Sequence, residues 1–248
     1  MNEYALLALA GLAGGMVNVA AGGAKLFVFP LLLSLGLPPL AANATGTVAL
    51  WPSTLPGAFA PKGSEAKLDT SGLWIDVPIV GLGGVIGVAL LIGLGERVFV
   101  SVVPFLLVLA LCVIAFGDRL KAAAARIQSE GGKTLRRILL FGCGVYAGYF
   151  GAGLGFFLMA SLVISGTGHV HSAIRQKNLF AAAGNTAAVA VLAWSGLVSW
   201  LAAGIIFVFA VIGASIGAVL IPRIPPGVLR GFILLMGTIL TARFVIFG

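Results

Sequence analysis

Hydrophobic residues run through this chain in long stretches that no charge interrupts. No Asp, Glu, Lys or Arg occurs from Tyr4 to Ala24, Leu26 to Pro61, Val77 to Gly95, Val98 to Gly117, Ile138 to Ile174, or Asn178 to Pro222. A helix needs about 20 apolar residues to cross the hydrocarbon core, so the longer gaps must hold two segments each. Soluble amphipathic helices would show a charged face, and none recurs here. Breaking the gaps at glycine, proline and polar clusters predicts helices at 4–20, 24–36, 41–60, 73–94 and 98–117. A second set follows at 137–150, 154–166, 176–194, 198–221 and 228–247. Residues 24–36, 137–150 and 154–166 are short for a crossing, at about 1.5 Å per residue.

The pattern occurs twice. Gly11–Phe27 (GLAGGMVNVAAGGAKLF) and Gly144–Ala160 (GVYAGYFGAGLGFFLMA) align at an offset of 133, pairing Gly11 with Gly144, Gly15 with Gly148 and Gly22 with Gly155. Further on, Ser71-Gly72-Leu73 answers Ser195-Gly196-Leu197, and Gly83/Gly87 answers Gly213/Gly217. Paired Gly-interrupted apolar segments in two halves point to a transporter's binding site. The sequence therefore predicts an all-α, polytopic integral membrane protein. Its first transmembrane repeat is 1–117 and its second 138–248, joined by a basic cytoplasmic linker over 118–137. Each repeat would hold a helical hairpin bent at its glycines, which either crosses twice or dips in and returns. Three further crossings per half then make the two repeats inverted.

Composition and charge fit this arrangement. Apolar residues make up 60% of the chain and charged ones 9%, with a mean hydropathy of +1.15. The net charge of +8 comes from 15 Lys and Arg, almost all in predicted loops. With the linker inside, 12 of them are cytoplasmic and 2 external; parallel halves would give 9 and 5. The positive-inside rule prefers the inverted halves and accounts for the basic pI without nucleic acid. The N-terminus lacks the positive n-region of a cleaved signal peptide. Cys112 and Cys143 lie in apolar spans without ligand spacing and read as small core residues.

The candidate chemistry gathers at the two bends, Gly22-Gly23 and Gly151 to Gly155. Unwound backbone cannot stay unsatisfied in lipid, and helix N-termini there present N–H donors suited to a small anion. Gly83/Gly87 and Gly213/Gly217 read instead as close-packing glycines. The helix after each hairpin is polar: Asn43, Thr45, Thr47, Trp51 and Ser53 in the first half, Gln176, Lys177, Asn178, Asn185 and Thr186 in the second. Such groups make interhelical hydrogen bonds or line a pathway. Lys177 is either a cytoplasmic anchor or the charge that balances an oxyanion beside Asn178. Lys25 either meets an anion or water at mid-membrane or snorkels to the surface. Asp76 is the single carboxylate inside a predicted span, near its end, so no proton relay is readable. His169 and His171 fall in a predicted surface loop. No HExxH, GxSxG or Walker motif appears, so neither an enzyme, a cofactor nor an energised pump is expected.

These residues resemble the sulfite exporter TauE/SafE family of bacterial membrane transporters. The resemblance covers nearly the whole chain and is carried by AAGGAKLFVFPLLLSLGLPPLAANATGTVALWPS (20–53) and YAGYFGAGLGFFLMASLVISGTGHVHSAIRQKNLFAAAGN (146–185). It implies a multi-pass carrier in the bacterial plasma membrane that exports sulfite, sulfoacetate or other organosulfonates. It points to Gly22, Gly23, Asn43, Thr45, Gly151, Gly153, Gly155, Lys177 and Asn178 as site residues. Lys25 departs from the family, which usually has a small residue there, and adds a charge to the anion site. Rivals are an anion channel using the same pore, or a membrane subunit delivering sulfur species to a partner enzyme.

Overall fold

The computed structural model describes residues 2–55, 72–117, 132–165 and 170–220, together with 119, 122–123, 227–228, 231 and 233–239. His169, most of the basic linker and most of the last expected crossing lie outside the described residues. Within them the chain is helical, with no strand. The elements are α1 (Glu3–Ala21), α2 (Lys25–Ser34), α3 (Pro39–Leu50) with a 3-10 turn (Trp51–Thr54), and α4 (Leu73–Ala115). Then come α5 (Gly132–Tyr149), α6 (Leu154–Ile164), α7 (Val170–Leu192) and α8 (Trp200–Leu220).

Local chemistry sets the boundaries. Gly95 breaks α4 with φ 74° and ψ 177°, leaving two pieces of crossing length, 73–94 and 96–115, where the sequence shows Glu96-Arg97. Pro52 cannot donate to the carbonyl four residues back, and α3 tightens into the 3-10 turn there; the end of the expected 41–60 span, 56–60, lies outside the described residues. Two starts fall earlier than expected. α5 begins at Gly132 rather than 137, taking up the end of the linker, and α7 begins at Val170 rather than 176, so the backbone of His171 is helical, not looped. Arg136 and Gln176, in the second turns of α5 and α7, hydrogen-bond to each other and tie the two helices together near these ends. Two described helices, α4 and α8, are long and apolar enough to cross a membrane. α2 and α6, with 10 and 11 residues, cover only about 15 Å each, half of the hydrocarbon thickness.

Packing runs between the two halves of the chain. α8 lies against α1 and α3, while α4 lies against α5 and α7. Glycines bring these backbones together. A Cβ on Gly11 would sit 2.6 Å from the Ile206 carbonyl, and one on Gly213 would overlap the Leu12 carbonyl. On the other pair, a Cβ on Gly83 would sit 2.6 Å from the Phe141 carbonyl, and Gly148 lies on the Gly84 carbonyl. In a bilayer, where no hydrophobic force pairs helices, such close contact and its dispersion supply the association. The outer faces of α4 and α8 expose Leu82, Leu90, Phe105, Val208 and Val219, the surface that faces lipid. Trp74 and Trp194, 90% and 92% exposed, stand at the ends of α4 and α7, as interfacial aromatics do.

Candidate functional site

The two glycine bends touch. α1 ends at Gly22, whose φ of 66° and ψ of 21° lie in the left-handed region, and its N–H returns to the Asn18 carbonyl at 3.0 Å. α6 is preceded by Gly153, at φ 71° and ψ 13°, a conformation only glycine adopts freely. The Gly153 N–H donates to the Gly22 carbonyl at 3.1 Å, which ties one bend to the other. A Cβ on Gly22 would lie 3.5 Å from the Gly155 nitrogen. The Gly155 N–H belongs to the first turn of α6 and has no backbone acceptor among the described residues.

A cavity of about 70 Å³, room for a small ion or a few waters, opens beside this junction. The first bend contributes Gly22 and Lys25; the second contributes Phe150, Gly151, Leu154 and Gly155. α1 adds Asn18, and α3 with its 3-10 turn adds Thr47, Trp51 and Ser53. α7 supplies Lys177, Asn178 and Asn185. Among the described residues two lysines and no carboxylate line the space, so its walls suit a negative charge.

Lys25 is 6% exposed, which removes the surface-snorkelling alternative. Its Nζ donates to Thr47 Oγ1 at 2.5 Å and to the Phe150 carbonyl. It also stands 5.5 Å from the centre of the Phe150 ring. That ring is held edge-on by Phe29, 5.7 Å between centroids, and Phe29 in turn packs edge-on against Phe99 at 6.1 Å. The aromatic cluster thus fixes the bend whose carbonyl receives the lysine. Asn18 Nδ2 donates to Ser53 Oγ at 2.8 Å, and Trp51 Nε1 to Thr186 Oγ1 at 2.9 Å, which joins the 3-10 turn to α1 and α7.

Six of the ten expected site residues line the cavity: Gly22, Lys25, Gly151, Gly155, Lys177 and Asn178. Gly23, Asn43, Thr45 and Gly153 stand outside it. Asn43 Nδ2 donates to the Tyr149 carbonyl at 3.0 Å, and Thr45 Oγ1 accepts from the Ser199 N–H at 3.0 Å. Gly153 spends its N–H on Gly22, and Gly23 faces the side chains of Ile114 and Ile233. Sequence reasoning passed over Asn18, one turn before the first bend, and chose Thr45 over Thr47. The available signal for the first was that Asn18 is the lone amide in the charge-free run Tyr4 to Ala24, four residues before Gly22.

A second polar cluster ties the bundle away from the cavity. Asp76, 3% exposed, accepts from Arg136 Nε at 2.7 Å, with Arg137 Nε at 3.8 Å from its other oxygen. Arg136 also donates to Gln176 Oε1 at 2.9 Å, and Gln176 is fully buried. The cluster therefore joins α4, α5 and α7. Neither the carboxylate near a span's end nor the linker arginine announces this partnership in the sequence.

Residues 7–244 match the family described as Sulfite exporter TauE/SafE. The chain is also 24% identical, over 99% of its length and 95% of the relative's, to a probable membrane transporter protein of Haemophilus influenzae. No solved structure matches it. A membrane protein whose helices carry apolar outer faces, and whose match to one transporter family spans almost its full length, has a settled affiliation: the chain belongs to the sulfite exporter TauE/SafE family.

Proposed function

We propose that the protein is a secondary carrier that exports small sulfur oxyanions across the bacterial plasma membrane, with its binding site in the cavity between the two glycine bends. The observation that carries the proposal is the buried Lys25, set with Lys177 and Asn178 around a cavity that no carboxylate lines among the described residues. The Gly155 N–H and the Asn178 amide orient the oxyanion, and the lysines balance its charge. The two halves, 1–117 and 138–248, are inverted repeats in this proposal. The exchange of partners, α8 on α1 and α3 against α4 on α5 and α7, supports that symmetry. Alternating access follows as one half rocks against the other about the joined bends. A cavity of only about 70 Å³ favours a carrier over an open channel.

The test is flux in proteoliposomes over sulfite, thiosulfate, sulfoacetate and short alkanesulfonates. A carrier gives saturable flux and counter-exchange with at least one of them. Non-saturating conduction would replace the carrier with a channel, and silence toward every sulfur oxyanion would remove the proposed cargo.

A further inference from the structure

The hydrogen bonds of Lys25 fit a neutral amine as completely as they could. A neutral amine has two N–H donors and a lone pair, whereas an ammonium has three donors. Thr47 Oγ1 gives its own hydrogen to the Asn43 carbonyl at 2.8 Å, which obliges it to accept from Lys25. The Phe150 carbonyl takes the second donor. A third N–H has no acceptor among the described residues and would address the cavity that Lys25 lines. An unpaired ammonium in such a buried place is costly, and an anion beside it removes the cost.

Among the described residues, one other proton site lines the cavity. Lys177 of α7 faces the same cavity, while α1, α3, its 3-10 turn, the second bend and α6 present only neutral groups to it. Tyr146 of α5 has its hydroxyl committed to the Ala152 carbonyl at 2.6 Å, and Tyr149 does not line the space.

We propose that Lys25 takes a proton from water onto its Nζ lone pair as an anion enters the cavity, and returns it when the anion leaves. Anion and proton then cross together, so each turnover moves one negative charge fewer than the anion carries. This rests on the anion site proposed above and adds a proton-carrying activity to it.

The experiment is calorimetric titration of the purified full-length protein in two buffers of different ionisation heat. The probes are sulfate, thiosulfate and methanesulfonate, anions that hold no proton near neutrality. Wild type should take up one proton per bound anion, and Lys25→Arg should bind the anion without proton uptake, because a guanidinium keeps its proton. Lys25→Met should also show no uptake, with weaker binding. Anion binding by wild type without uptake would overturn the proton step alone, as would equal uptake in Lys25→Arg. Failure of wild type to bind any of the three anions would overturn the anion site and the proton step together.

Discussion

Asp76→Asn isolates the energetics of the cluster that joins α4 to α5 and α7. In the wild type, the Asp76 side chain is 4% exposed and Arg136 15% exposed, with Nε to Oδ2 at 2.7 Å. Neutralising Asp76 removes the negative charge beside the largely buried Arg136, while Gln176 Oε1 still accepts from it. Removal of one member of a buried pair costs about 3–5 kcal/mol. Arg136 keeps some contact with solvent, so the loss should lie near the bottom of that range, at about 3 kcal/mol, or roughly 150-fold in the folding equilibrium. The double variant Asp76→Leu/Arg136→Leu removes both charges and should recover most of the loss, because two apolar groups carry no desolvation debt. Equilibrium unfolding in mixed detergent–SDS micelles measures both. The reasoning is refuted if Asp76→Asn changes stability by less than about 0.5 kcal/mol, the level of an ordinary surface substitution. A double variant less stable than the single one would refute it equally.

Two further predictions address packing and sidedness. Gly148→Ala should sharply lower folding yield, since its Cβ would overlap the Gly84 carbonyl, whereas Gly204→Ala meets nothing within 4 Å and should be neutral or stabilising by about 0.5–1 kcal/mol; monodispersity in detergent separates them, and equal behaviour would contradict the close contact. With Cys112 and Cys143 replaced by Ser, cysteines at Val170 and Ile224 should resist impermeant thiol reagents added outside intact cells, and ready labelling at both would exchange the inverted halves for parallel ones.

The bends were readable because apolar helices in a bilayer carry glycine pairs for few reasons, and the repeat placed both pairs at matching points. Lys25 stood out for a similar reason: one cation within two apolar runs demands an account. The choice between Thr45 and Thr47 was not readable. Two residues apart on a helix face opposite ways, and only packing decides that Thr47 meets Lys25 while Thr45 meets Ser199. Arg136 misled for a different reason. Counted among loop cations it served the sidedness argument, yet its partner lies 60 positions away on another helix, and no local pattern encodes that distance. Asn43 is likewise fixed by packing, its Nδ2 given to the Tyr149 carbonyl and its Oδ1 buried without a hydrogen-bond partner among the described residues.

The central claim is that the anion passes through the junction of the two bends, and flux per folded molecule in proteoliposomes tests it most directly. With an anion that wild type carries, Gly153→Val should abolish flux while insertion and monodispersity persist. At φ 71° a branched side chain strains the backbone that presents α6 to the cavity, and its Cβ would already be in van der Waals contact with Ala110 at 3.7 Å. Lys25→Met should raise the half-saturating concentration by roughly 10- to 150-fold, the scale of a lost hydrogen bond to a charged group. Normal flux per molecule in both variants, with the wild-type concentration dependence, would place the anion's path elsewhere and contradict the account.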